Sequence, residues 1–145
     1  HTEFIVTNKV EWKFMPFISG MFGNSPVVTE ASECTLEQHP GLFALFTDRL
    51  WAQQADWKSS GEPEALARRW AVEVGADGDR FDSCMQEHRR LERVTSATAL
   101  AAQLGVRSTP TFWIVGGGPI QGALPLEAFR EIFNNVYENL TQGAG

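Results

Sequence analysis

Two cysteines, Cys34 and Cys84, are the only thiols in the 145-residue sequence. A cysteine becomes a nucleophile or a soft metal ligand only as its thiolate, so its surroundings decide what it does. These two stand 50 positions apart and form neither a Cys-x-x-Cys redox motif nor part of a paired Cys-x-x-Cys zinc site. Free cysteine is among the most buried residue types, and each thiol falls at an apolar helical spacing, so two inert core thiols are one reading. A redox pair is another. Against it, Cys34 sits late in its helix beside Glu33, and Cys84, though near Arg80, has no helix N-terminus to lower its pKa. His1, His39 and His88 are scattered without the spacing of metal ligands. His39 precedes Pro40-Gly41 at an expected helix end, and His88 lies in the polar run from Gln86 to Arg90, so neither reads as a ligand and no metal is expected.

The composition narrows the partners. Twelve Lys and Arg against 18 Asp and Glu give a net charge of −6 and a pI near 5.0. That is the wrong balance for binding a phosphate backbone, so nucleic acid is disfavoured. With 43% hydrophobic and 21% charged residues, the chain fits a globular protein rather than a disordered one. Its length suits one domain, residues 1–145, with a single hydrophobic core. No apolar run approaches the roughly 20 residues of a membrane-spanning helix. The sequence starts at His1 rather than Met, with no leader pattern before its first element, so a processed or partial chain is expected.

The elements follow from periodicity and punctuation. Phe4-Ile5-Val6 is ambiguous between a strand and the last turn of a helix, with Asn8 as a left-handed stop. Val10, Trp12 and Phe14 alternate with Glu11 and Lys13, which predicts a strand. Ser25 as N-cap and Pro26 at the first helical position open a helix with Val27, Ala31 and Cys34 on one face. His39-Pro40-Gly41 ends it. Leu42, Phe43, Phe46, Leu50 and Trp51 mark a second helix, and Leu66, Trp70 and Val74 a third from Pro63 to Gly75. A short helix carries Phe81, Cys84 and Met85, and a longer one runs from Leu91 to its stop at Gly105. A strand over residues 111–115, a turn at Gly116 to Gly118 and a strand from Pro119 to Gln121 predict a hairpin. Pro125 opens a terminal helix with Leu126, Phe129, Ile132, Phe133, Val136 and Leu140 on its face. Helices set between an early strand and a late hairpin indicate an α/β layered fold. Most of the five tryptophans and ten phenylalanines fall at core spacing, leaving Trp51, Trp57 and Trp113 as candidates for a groove beside Pro110.

The most specific segment is Gly105-Val106-Arg107-Ser108-Thr109-Pro110-Thr111-Phe112-Trp113-Ile114. A helix stop, a short loop and a proline lead into an aromatic and β-branched strand. Proline lacks the N–H that a central strand needs, so the chain must bend there. Together with Ile120-x-Gly122-Ala123-x-Pro125 and the closing helix, this resembles the C-terminal half of DsbA-like thioredoxin-fold proteins. Upstream, residues 4–10 resemble the link from that family's first helix to its second strand. Ala31 to Cys34 with Leu42-Phe43, and Phe81-x-x-Cys84, resemble the two ends of its inserted helical subdomain. The likeness spans roughly residues 4–140 and departs at Ser108, where the family more often has glycine.

The resemblance implies a thioredoxin-like fold with a helical subdomain inserted at residues 26–104, and a cis-proline loop, hairpin and helix at residues 105–140. It implies thiol–disulfide exchange on protein or peptide substrates in a periplasmic or extracellular compartment, without a cofactor and with a redox partner protein. Ser108, Thr109 and Pro110 become the substrate-facing residues, with Thr109–Pro110 in cis. It further implies that Cys34 and Cys84 form a structural disulfide. The family's Cys-x-x-Cys, carried on a first strand and helix, has no counterpart in this sequence, so the exchanging thiols are expected upstream and residues 1–145 alone are expected to be inactive. The family's first strand lies between the strand at residues 10–14 and the hairpin. Its place is expected to be filled by native upstream residues or, failing those, by a second copy in a homodimer. Two other functions stand beside exchange: a redox-inactive binding or chaperone module, and a glutathione-dependent transferase or isomerase.

Overall fold

The computed structural model describes residues 3–115 and 118–142. The order is α1 (Ser25–Gln38), α2 (Pro40–Ala52), α3 (Gln54–Ser59), α4 (Pro63–Glu73), α5 (Gly78–Gln86), α6 (Leu91–Gln103), β1 (Thr111–Trp113), β2 (Pro119–Gln121) and α7 (Leu126–Gln142). The chain divides into two units. One comprises His1–Phe14 and Val106–Gly145, the other Met15–Gly105.

The Met15–Gly105 unit is all helical around a closed core. Phe46, Phe81, Cys34 and Cys84 are at most 1% exposed, and Val28, Ala31, Leu66, Ala67, Trp70 and Ala71 join them. Helix α1 is its axis, packed on α2, α4, α5 and α6. Proline sits in the first turn of α1, α2 and α4, where its missing N–H costs nothing. Asp77 caps α5 by accepting from Arg80 N, and His39 Nδ1 caps α2 by accepting from Gly41 N. The expected N-cap of α1 shifts by one residue. Asn24 occupies the cap position and Ser25 is already helical, while the Asn24 side chain donates to the carbonyls of Trp57 and Ser60. Helix α3 had no signal in the sequence. Its six residues are too few to show a period, and it is held by burial of Trp57, whose indole N–H donates to Leu50 O.

The other unit has one small sheet. β1 and β2 pair antiparallel, Phe112 opposite Ile120, with Thr111 opposite Gln121 and Trp113 opposite Pro119. β1 stops at Trp113, two residues short of the expected Val115, and Gly116 and Gly117 of the expected turn lie outside the described residues. The 4–8 segment is a turn closed by Asn8 at φ 57°, the left-handed stop expected of the helical alternative. The strand expected at residues 10–14 is not one: those residues form no ladder. Alternation writes a strand, but a strand is a paired state. The described sheet stops at β1, and residues 10–14 meet it through side chains, Trp12 edge-on to Phe112 at 5.6 Å. The α/β reading is thereby reduced to a mostly helical protein with a two-stranded sheet.

Candidate functional site

Residues 107–110 are exposed and run directly into β1. Gly105, at φ 74°, ends α6 in a conformation that suits glycine and releases the chain into this loop. The Thr109–Pro110 peptide bond is cis. Two hydrogen bonds fix the loop to the hairpin: Thr111 Oγ1 donates to Ser108 O at 2.7 Å, and Gly122 N donates to Pro110 O at 2.8 Å. Pro110 O therefore points toward β2. In a pleated strand the groups of residues 110 and 112 point one way and those of 111 and 113 the other. The N–H and C=O of Thr111 and Trp113 thus lie on the edge of β1 that the described sheet leaves unpaired. Ser108, Thr109 and Pro110 form one continuous exposed entry to that edge.

The same unit holds an apolar cavity of about 190 Å³, lined by Phe4, Val10, Trp12, Phe112, Phe129 and Phe133 among others. Phe112 meets Phe129 edge-on at 4.8 Å, and Phe4 meets Phe133 at 5.2 Å, the arrangement aromatic quadrupoles favour. Arg130 stands at its rim. Hydrogen bonding to Glu3 first, then the nearby charge of Glu127, raises its pKa further above the ordinary range.

Cys34 and Cys84 are joined by a disulfide, with Cα atoms 5.9 Å apart. The bond links α1 to α5 and is 0% and 1% exposed at its two ends, so an attacking thiolate cannot reach it without the helices parting. The redox-pair and free-thiol readings both give way to a buried cross-link. Around it runs an acid–base clasp that the sequence did not announce. Glu30, Glu33 and Glu37 recur at helical spacing on α1 and meet His88, Arg93 and the Arg89–Arg90 pair respectively. The i, i+3, i+7 carboxylates were visible in the sequence; their basic partners, some 50 to 60 residues away, were not. The Arg89 hydrogen bond lowers the Glu37 pKa, against the opposing effect of burial, with the charges of Arg89, Arg90 and Arg80 adding to it. The Arg90 guanidinium lies 3.1 Å from Glu37 at Nε but is not aligned as a hydrogen bond.

The three tryptophans singled out for a groove separate. Trp57 is core, while Trp51 and Trp113 are 68% and 49% exposed. His39 is a helix cap, and His88, read as part of a solvated run, instead bonds a buried carboxylate. No group of three or more His, Cys, Asp or Glu able to hold a metal ion occurs among the described residues, and no helix there is long and apolar enough to cross a membrane.

Within its own unit, an exposed loop enters a strand with one edge that the described sheet leaves open. The family described as thioredoxin, of the DsbA-like kind, matches residues 1–135, and the chain belongs to that family. No curated protein and no solved structure matches closely enough to count as a relative.

Proposed function

We propose that the protein takes part in thiol–disulfide exchange on extended polypeptide substrates, and that Ser108, Thr109 and Pro110 present the substrate-facing edge. Family membership supports the chemistry, and one observation supports the placement: exposed residues 107–110 lead into a strand whose outer N–H and C=O groups the described sheet leaves unpaired. An extended substrate would add there as a strand, gaining main-chain hydrogen bonds without a demand on its sequence. Because Cys34 and Cys84 are bonded and buried, the exchanging cysteines in this reading are not among residues 1–145. The finer fold reading, a thioredoxin-like domain with a helical subdomain inserted at residues 26–104, belongs to the same proposal. So does an extracytoplasmic compartment, which the disulfide supports because such bonds persist in oxidising surroundings.

The test is a disulfide-exchange assay on the intact protein. Thr109→Arg, at an exposed position, is expected to raise the KM for a peptide substrate, while the paired Cys34→Ala and Cys84→Ala changes leave turnover per folded molecule unchanged. Turnover lost with the cysteine pair and kept with Thr109→Arg would reverse the assignment. A redox-inactive binding module is the second reading, favoured by the sequestration of both sulfurs. Peptide binding without exchange in the intact protein would select it, and activity dependent on glutathione would select a transferase or isomerase.

A further inference from the structure

The Met15–Gly105 unit holds a second concave surface, unrelated to thiol exchange. Helices α1, α4 and α5 and the turn after α5 bound a cavity of about 380 Å³. Val27, Ala65, Phe81 and Met85 supply apolar wall, and Glu30, Glu64, Arg68, Asp82 and His88 supply charge. Arg68 is committed, since its Nε lies 2.8 Å from both carboxylate oxygens of Asp82. The cavity is therefore left with the negative charge of Glu30 and Glu64.

Glu30 is the unusual member. Its side chain is 5% exposed, and its carboxylate has one hydrogen-bonding partner among the described residues, His88 Nδ1, at 3.1 Å from Oε2 and 3.4 Å from Oε1. A carboxylate offers about four acceptor positions, so a single nitrogen shared between both oxygens leaves room for further donors. Buried charge in that condition is costly unless further donors reach it. His88 is a poor permanent partner. Its side chain is 63% exposed, and its backbone sits at φ 50°, which a residue with a Cβ rarely adopts. The imidazole lines the cavity from an exposed position and can swing into solvent, which would leave the Glu30 carboxylate to another donor.

We propose that this cavity binds a primary alkylammonium group, its N–H donors seated on Glu30 in place of the His88 imidazole and its alkyl stem against Val27, Phe81 and Met85. An ammonium brings three donors and a permanent positive charge to a buried carboxylate whose one hydrogen-bonding partner among the described residues is a single imidazole nitrogen. An anionic ligand would meet Glu30 and Glu64, and a neutral apolar one would leave Glu30 unsatisfied. The group can arrive on a free amine or on a lysine side chain of another polypeptide.

The experiment titrates the intact, isotope-labelled protein with n-pentylammonium and, separately, with a blocked lysine peptide, following amide shifts in α1, α4 and α5. Saturable binding of either probe, weakened at least about tenfold in Glu30→Gln and tightened in His88→Ala, is the expected result; one charge-assisted hydrogen bond is worth about that factor. Tighter binding of pentylammonium identifies a small-amine site, and tighter binding of the peptide a lysine-recognition site. No saturable binding of either probe overturns the proposal. So does binding indifferent to Glu30→Gln, or His88→Ala weakening it as Glu30→Gln does, since His88 would then be part of the site rather than its competitor. His88→Ala alters an exposed side chain and keeps the test alive should Glu30→Gln fail to fold.

Discussion

The two units of this chain hold their side chains in opposite ways. In Met15–Gly105, twelve buried residues form one closed cluster, cross-linked by a disulfide and bordered by ion pairs. In the unit made of His1–Phe14 and Val106–Gly145, Phe4 is the one buried hydrophobic residue among those described. Its aromatic rings meet edge to face around a cavity, and the 17-residue α7 has no buried residue despite an apolar face. A two-stranded sheet is marginal by itself and needs a third strand or a packed helix. Within one chain, then, stability and openness are assigned to different segments. The open segment is the one that carries the proposed substrate edge.

The sharpest way to break this contrast is paired truncation of aromatics. Phe81→Ala in the closed unit should cost about 3–5 kcal/mol, the range for a fully buried ring. Phe129→Ala, half-buried beside an existing cavity, should cost about 1–2 kcal/mol because less area leaves contact. Urea unfolding measures both, and equal costs would remove the distinction. Next in size, replacing Cys34 and Cys84 together by Ala should cost about 2–4 kcal/mol, the usual worth of a disulfide. Hydrogen exchange should locate that loss in α1 and α5 and leave β1 and β2 unchanged.

A smaller effect follows from acid. Glu37 has its pKa lowered in the fold, chiefly by the Arg89 hydrogen bond. A depressed carboxylate stabilises fully above its unfolded pKa, and that contribution is lost as pH falls through the folded value. Stability of the closed unit should therefore drop below the ordinary glutamate range, and Glu37→Gln should flatten that part of the curve while lowering stability at neutral pH. Circular dichroism across an acid titration reads both. The smallest effect belongs to Arg130→Ala. Its partners Glu3 and Glu127 are exposed, and exposed pairs contribute little, so its thermal midpoint should be indistinguishable from that of the parent protein.

What the sequence disclosed divides along the same line. The helices of the closed unit, α3 apart, were legible because Pro, Gly and apolar spacing agree with one another from Ser25 to Gly105. The hairpin was legible from Thr111-Phe112-Trp113 and the glycines after it. Residues 10–14 were misread because alternation carries no information about whether a neighbouring strand is present. The cysteine pairing could not be derived from a separation of 50 residues; only the family likeness suggested it. The clasp was half visible, its three carboxylates on α1 marked by spacing, its basic partners placed by the tertiary fold. Glu30 gave no sign of being buried, since an acidic residue at helical spacing reads as a solvated face.

The clasp has a consequence for how α1 finds its seat. Its carboxylates recur roughly once per turn, about 5.4 Å apart along the axis. Were α1 to slide by one turn, Glu33 would arrive near where Glu30 had been and Glu37 near where Glu33 had been, each again facing a basic side chain, while the Arg89–Arg90 pair would lose its carboxylate. The charges thus resemble the teeth of a rack, which still grip, though less fully, after slipping by one notch. Cys34 occurs once. Its bond to Cys84 makes one notch different from the others, so the ion pairs supply grip while a single covalent link supplies position.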